Sequence, residues 1–186
     1  MKNPKIKFIN DYIDDFNKTL SNVKSQNKAI EEIFKTLLRY NNKRTVHVFG
    51  NGGSASIASH FSMDLTNNSK IKCLSYNDSS IITCYSNDFK FENWISKTIQ
   101  KYGNKNDLLI LISSSGKSKN MLNAVKAAKK KKFYKIITFT GFNYKNPLSQ
   151  QGDMNIWINS KSYNIIENAH QFFLLLLVDM IKKFIK

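Results

Sequence analysis

Arginine is nearly missing from this chain. Of its 29 basic residues only Arg39 and Arg44 are arginine, so the formal charge of +16 is carried by lysine. Arginine is the side chain suited to forked recognition of phosphates and bases. Its scarcity argues against a nucleic-acid partner and for solvated lysine faces, with no more than a general attraction to acidic molecules. The many Asn, Ile and Phe residues fit an AT-rich coding bias. Cysteine is scarce too: Cys73 and Cys84 have no metal-ligand spacing and read as thiols in a reducing compartment, which predicts a cytoplasmic protein. Proline occurs twice, and there is no linker, repeat or low-complexity tract. The 186 residues, 41% apolar and 23% charged, are expected to form one globular domain. No apolar segment follows a basic start, so no secretory signal is expected. The longest apolar run, Phe172–Val178, falls far short of the ~20 residues that span a bilayer.

What the chain has is a stretch around which the rest is arranged, Thr45–Thr66 (TVHVFGNGGSASIASHFSMDLT). Val46, Val48 and Phe49 predict a buried strand. Gly50, Gly52 and Gly53 predict a sharp turn, and Ser54 an N-cap, so the next helix would aim free N–H groups and its positive end at the turn. That is a site for an anion, above all a phosphate. His60 and Asp64, four apart, share a face of this helix.

Two amphipathic helices, Ile6–Leu20 and Ala29–Tyr40, are expected before that strand, joined to it by a turn at Asn41–Lys43. After it come a strand at Ile71–Tyr76, a helix at Ser79–Ser86, a loop at Asn87–Phe89 and a helix at Phe91–Tyr102. Leu108–Ile112 reads as a strand covered on both faces. A helix at Asn120–Lys131, strands at Tyr134–Thr140 and Met154–Ile158, and a long helix at Asn164–Ile185 complete the chain. The alternation predicts an α/β fold with a parallel sheet. The apolar run in the last helix predicts a subunit interface.

Gly50–Ala55 satisfies the G-x-G-x-x-A dinucleotide fingerprint, but the acidic residue it requires would be Asp78, which equally serves to cap a helix, so no nucleotide cofactor is expected. Gly116-Lys117-Ser118 resembles the end of a P-loop, yet the first glycine would fall at Leu111, which rules one out. Ser113, Ser114, Ser115 and Ser118 remain as a hydroxyl-rich turn before a helix. It is either an ordinary cap or, beside the glycine turn at the same end of the sheet, a grip for a phosphate monoester. His47, inside a strand, reads as a satisfied core histidine; His170 stays open.

Taken together, GNGGSA…HF…LT, Asn87-Asp88, ISSSGKS and IIENAH resemble the SIS (sugar isomerase) fold, and within it the bacterial phosphoheptose isomerases, over nearly the whole chain. The resemblance implies a three-layer α/β/α, flavodoxin-like domain with a five-stranded parallel sheet: a helical pair (1–43), an α/β core (44–160) and a C-terminal helix (161–186). It implies that Ser113, Ser114, Ser115 and Ser118 hold the phosphate, and that Asn51, Gly52, Gly53, Ser54, Asn87, Asp88 and Glu167 meet the sugar. It also implies homotetramers with sites between subunits. The implied activity interconverts sedoheptulose 7-phosphate, or a related sugar phosphate, with its aldose on the way to surface-polysaccharide heptose.

The family also carries zinc, held by a His and a Glu on one helix and a Gln and a His on the last. Here those positions are His60, Asp64, Glu167 and Leu175, so His60, Asp64 and Glu167 become the candidate ligands for zinc or another divalent ion and the candidate catalytic groups. Asp64 is one methylene shorter than Glu, and a ~1 Å misplacement can cost ~100-fold. Leu175 carries neither proton nor metal. A binding protein that keeps the pocket but has lost turnover is therefore the competing expectation; without the resemblance, His60 and Asp64 are a surface polar pair.

Overall fold

The computed structural model describes residues 3–39 and 44–184. The expected turn at Asn41–Lys43, Tyr40 and Ile185 lie outside the described residues. The elements run α1 (Pro4–Val23), a 3-10 turn (Lys24–Gln26), α2 (Asn27–Leu38), β1 (Val46–Gly50), α3 (Gly53–Asn68), β2 (Cys73–Ser75) and α4 (Ser79–Phe89). A 3-10 turn (Phe91–Asn93), α5 (Trp94–Tyr102), β3 (Leu108–Ser113), α6 (Lys119–Lys130), β4 (Lys135–Thr140), β5 (Met154–Trp157) and α7 (Tyr163–Phe184) follow. The five strands are all parallel, in the order β2-β1-β3-β4-β5.

Every residue of β1 and β3 is buried, as a sheet with helices on both faces requires. Val46, Val48, Leu108, Ile110 and Ile112 face one apolar cluster with Ile33, Phe61 and Phe173 from α2, α3 and α7. Phe49, Leu109 and Leu111 point the other way, onto Trp94, Ile99, Met121 and Val125 of α5 and α6. At the β5 edge of the sheet, Gln26 donates from Nε2 to the Trp157 carbonyl (2.7 Å) and accepts from the Trp157 N–H (2.9 Å).

One expectation is corrected. Asn87–Phe89 is the last turn of α4, not a loop; the helix stops at Lys90, whose φ is 71°. The apolar run Phe172–Val178 is consumed mainly inside the chain, where Phe173, Leu174, Leu177 and Val178 are buried, and only Phe172 is well exposed. The unpartnered apolar surface is instead on α1, where Ile6, Phe8, Ile9, Tyr12 and Ile13 are exposed.

Two histidines are buried outright. His47 sits between Asp107 (Nε2 to Oδ2, 2.9 Å) and the Tyr76 hydroxyl (to Nδ1, 2.9 Å), the satisfied core residue that was expected. Burial pushes Asp107 up, but hydrogen bonds from His47 and the Thr45 and Asn104 N–H groups outweigh it and hold it below the usual carboxylate range. His170 has one partner, the Thr140 carbonyl, 3.2 Å from Nε2, and its Nδ1 is buried without one. Burial drives its pKa down to about 4, partly opposed by that carbonyl.

An unfolded chain takes up the His170 proton near pH ~6.5, whereas the fold resists it down to about pH 4. The unfolded state binds more protons across that window, so stability is full above it and falls as pH drops through it. Denaturant titrations at intervals between pH 7.5 and 4 should show this slope, and His170→Gln should flatten it even if the variant is less stable overall.

Candidate active site

β1 and β3 are paired in parallel, Val46 with Leu108 through Gly50 with Ile112. The loops that leave their C-terminal ends therefore lie side by side. In the first, Gly52 takes a φ of 55° and caps α3, which begins at Gly53. Ser54, expected as the cap, instead lies buried within the first turn. In the second, Gly116 (φ 62°) closes a turn onto the Ser113 carbonyl. Ser118 caps α6 by its backbone alone; its hydroxyl makes no capping bond. The loops are tied by a reciprocal amide pair, Asn51 Nδ2 to Asn120 Oδ1 (3.1 Å) and Asn120 Nδ2 to Asn51 Oδ1 (2.9 Å).

Between them is a cavity of about 130 Å3 lined by Asn51, Ser54, Ser113, Ser114, Ser115, Ser118, Tyr163 and Glu167. The expected glycine-loop and serine-loop residues thus meet in one place. The Ser114 hydroxyl is buried without a partner, a group that asks for an external acceptor. With hydroxyls and two helix N-termini converging, the cavity suits a compact anion without any lysine or arginine in its lining. Asn87 and Asp88 do not join it: they lie exposed at the end of α4, where the Asn87 amide donates to Asp88 (3.0 Å). Gly52 is exposed and lines neither this cavity nor the next.

The second cavity, about 310 Å3, is lined by Gly53, Ser56, Ile57, His60, Asn164, Glu167, Asn168 and Gln171. Glu167 lines both. Its carboxylate packs where a Cβ on Gly53 would sit, so a side chain at that position would displace the Glu167 carboxylate. Burial raises the Glu167 pKa above the usual carboxylate range. His60, at the far end, has Nε2 3.3 Å from Asp64 Oδ2 and Nδ1 3.4 Å from Gln171 Nε2. A ligand gripped among the serines would extend past Glu167 toward His60. A larger cavity, about 720 Å3, lies elsewhere, between the Lys24–Gln26 turn and β5; amides, hydroxyls, Tyr144, Trp157 and the single charge of Lys28 line it among the described residues.

The metal expectation does not fit. Among the described residues no three His, Cys, Asp or Glu side chains stand close enough to hold an ion. His60 and Asp64 pair, but Glu167 stays against Gly53 and does not join them. His170, buried against Thr140 and Phe139, faces away from this set. Asn120, Tyr163 and the Gln171–His60 contact complete the site. Only Gln171, one turn beyond Glu167, is suggested by spacing; the pairings of Asn120 and Tyr163 are long-range.

The model of the SIS domain family matches residues 11–141. The chain belongs to the SIS-domain family. It is 35% identical over 176 residues to a phosphoheptose isomerase of Buchnera aphidicola from Acyrthosiphon pisum, spanning 89% of this chain and 90% of that one. To the phosphoheptose isomerase of Buchnera aphidicola from Schizaphis graminum it is 33% identical, over 97% of each. The solved structure of a phosphoheptose isomerase from Francisella tularensis superposes with a TM-score of 0.84 at 26% identity, covering 96% of this chain and 98% of that one. This SIS-domain protein is thus phosphoheptose isomerase-like in sequence and in fold. Among the described residues no helix is long and apolar enough to cross a membrane.

Because the Ser118 hydroxyl makes no capping bond, Ser118→Ala should leave the thermal midpoint within about 1 °C while weakening sugar-phosphate binding by roughly tenfold, about 1.4 kcal/mol. Calorimetric titration beside a thermal melt reads both. A fall in midpoint without loss of affinity would make Ser118 a helix cap and nothing more.

Proposed function

We propose that this chain is an isomerase of phosphorylated sugars, interconverting a ketose phosphate and its aldose, with sedoheptulose 7-phosphate the first substrate to try. The observation that carries this reading is Glu167, which lines both the serine cavity and the cavity that ends at His60. The phosphoheptose isomerase relatives supply the choice of a phosphorylated heptose; a place in heptose supply for surface polysaccharide comes from the family resemblance alone.

The reaction needs an anchor for the phosphate, a base for the proton beside the carbonyl, and a group that moves a proton between the two oxygens. Ser113, Ser114, Ser115 and Ser118, with the first turns of α3 and α6, are the anchor. Anchoring fixes the carbon chain along Glu167, converting an encounter into an oriented, effectively unimolecular step. The desolvated carboxylate of Glu167 is the stronger base for being buried. His60 is the oxygen-side group, with Asp64 beside it. The exposed apolar residues of α1 would join copies of the chain, a tetramer by analogy with the family; light scattering of the purified protein reads this.

A second reading is favoured by Leu175, which stands where the family has a proton-carrying histidine: a protein that binds the sugar phosphate without turning it over. Incubation with sedoheptulose 7-phosphate, followed by detection of the aldose and by calorimetry, separates the two. Aldose product is expected. Binding without product would select the second reading, and no binding of any sugar phosphate would remove both.

A further inference from the structure

α7 runs alongside α3, and its positions facing α3 recur every four residues. Glu167 lies against Gly53 and Gln171 against His60. The same spacing sets Leu175 one turn further, on the Asp64 side. Three features of this seam bear on how protons are handled there. Leu175 offers no donor to an ion. Glu167 lies against Gly53 and is shared between the two cavities. Both ring nitrogens of His60 already face protein groups, Asp64 Oδ2 at 3.3 Å and Gln171 Nε2 at 3.4 Å. An amide N–H donating to Nδ1 leaves the ring proton on Nε2, on the side of Asp64. The ring lone pair that would bind a metal is directed at Gln171 instead.

We infer that this site works without a metal ion: His60, fixed in one tautomer between Asp64 and Gln171, moves the proton between the sugar oxygens, and Glu167 alone is the carbon base. This rests on the isomerase reading above. Glu167 takes the proton from C1 of the ketose, the C1–C2 double bond forms, and O2 gains a proton. The Glu167 proton then returns to C2 as O1 gives up its own, leaving the C1 aldehyde. The Nε2–H of His60 turns from Asp64 to the sugar, gives its proton to O2 and takes the O1 proton in its place, and no electron leaves the sugar. Gln171 is a positioning residue, acting through the imidazole.

The test is a zinc titration of the full chain by calorimetry, with His60→Ala alongside and metal content measured on the protein as purified. The two titrations should superimpose, and the purified chain should hold well under one equivalent of zinc. Turnover should be unchanged within about twofold after dialysis against a chelator. One equivalent of zinc bound by the wild type and missing from His60→Ala would overturn the inference, as would turnover that collapses on chelation and returns with zinc. The titration needs no substrate, so it decides the metal question even if no sugar phosphate is converted, an outcome that would count against the isomerase reading alone. With turnover in hand, Gln171→Leu should lower kcat about tenfold at unchanged KM, and an unchanged kcat would overturn the tautomer role. Leu175→His should gain a zinc equivalent; failure to do so would show that Leu175 is not what excludes the ion.

Discussion

The site depends on β1 and β3 being neighbours in one parallel sheet. The chain lays β2 on one side of β1, returns across it, and adds β3 on the other side. At such a reversal the loops leaving two adjacent strands separate to opposite faces and open a crevice at the strand ends. The buried apolar register of Val46–Gly50 against Leu108–Ile112 holds that pair rigid. The Asn51–Asn120 amide pair then carries the same alignment out of the sheet and into the loops. Glycine and serine turns become useful because a stiff element points them at one spot.

The lining of the crevice suits negative charge through main-chain dipoles and hydroxyls instead of side-chain cations. Despite the +16 balance, among the described residues no lysine or arginine lines the serine cavity. Hydroxyls and helix ends are fixed in place by the fold, whereas a lysine ammonium on its flexible stem must be ordered when the ligand arrives. In the proposed reaction the proton chemistry falls to Glu167 and His60, whose surroundings differ. One is held against a glycine in a partly desolvated corner; the other is half exposed between two polar partners.

Much of this was legible in residue order. Continuous apolar runs marked the strands, and small or hydroxyl residues directly after two of them marked the ligand-facing turns. His47, flanked by strand residues, was legible as a core group. Asp78 proved to be the helix cap that had been its alternative, accepting from the Ser80 and Ile81 N–H groups. Other features depended on what the tertiary structure did with locally ambiguous residues. Asn87-Asp88 has turn composition, yet Ile81, Ile82 and Tyr85 pack onto the core and carry the helix past it. Ser54 has cap chemistry, but Gly52 accepts the positive φ and starts the helix earlier. Positional matching placed His60, Asp64 and Glu167 in a ligand set; it could not say that Glu167 would lie against Gly53 and leave His60 to Gln171.

The Gln26 carboxamide on β5 has a consequence of its own. An open parallel sheet ends in strands whose amide groups are free to template another molecule. By giving Trp157 both a donor and an acceptor, one side chain imitates the next rung of the ladder and then goes no further. In a chain so rich in isoleucine and phenylalanine, that false rung is a guard against runaway cross-molecule stacking, supplied by the turn that links the first two helices.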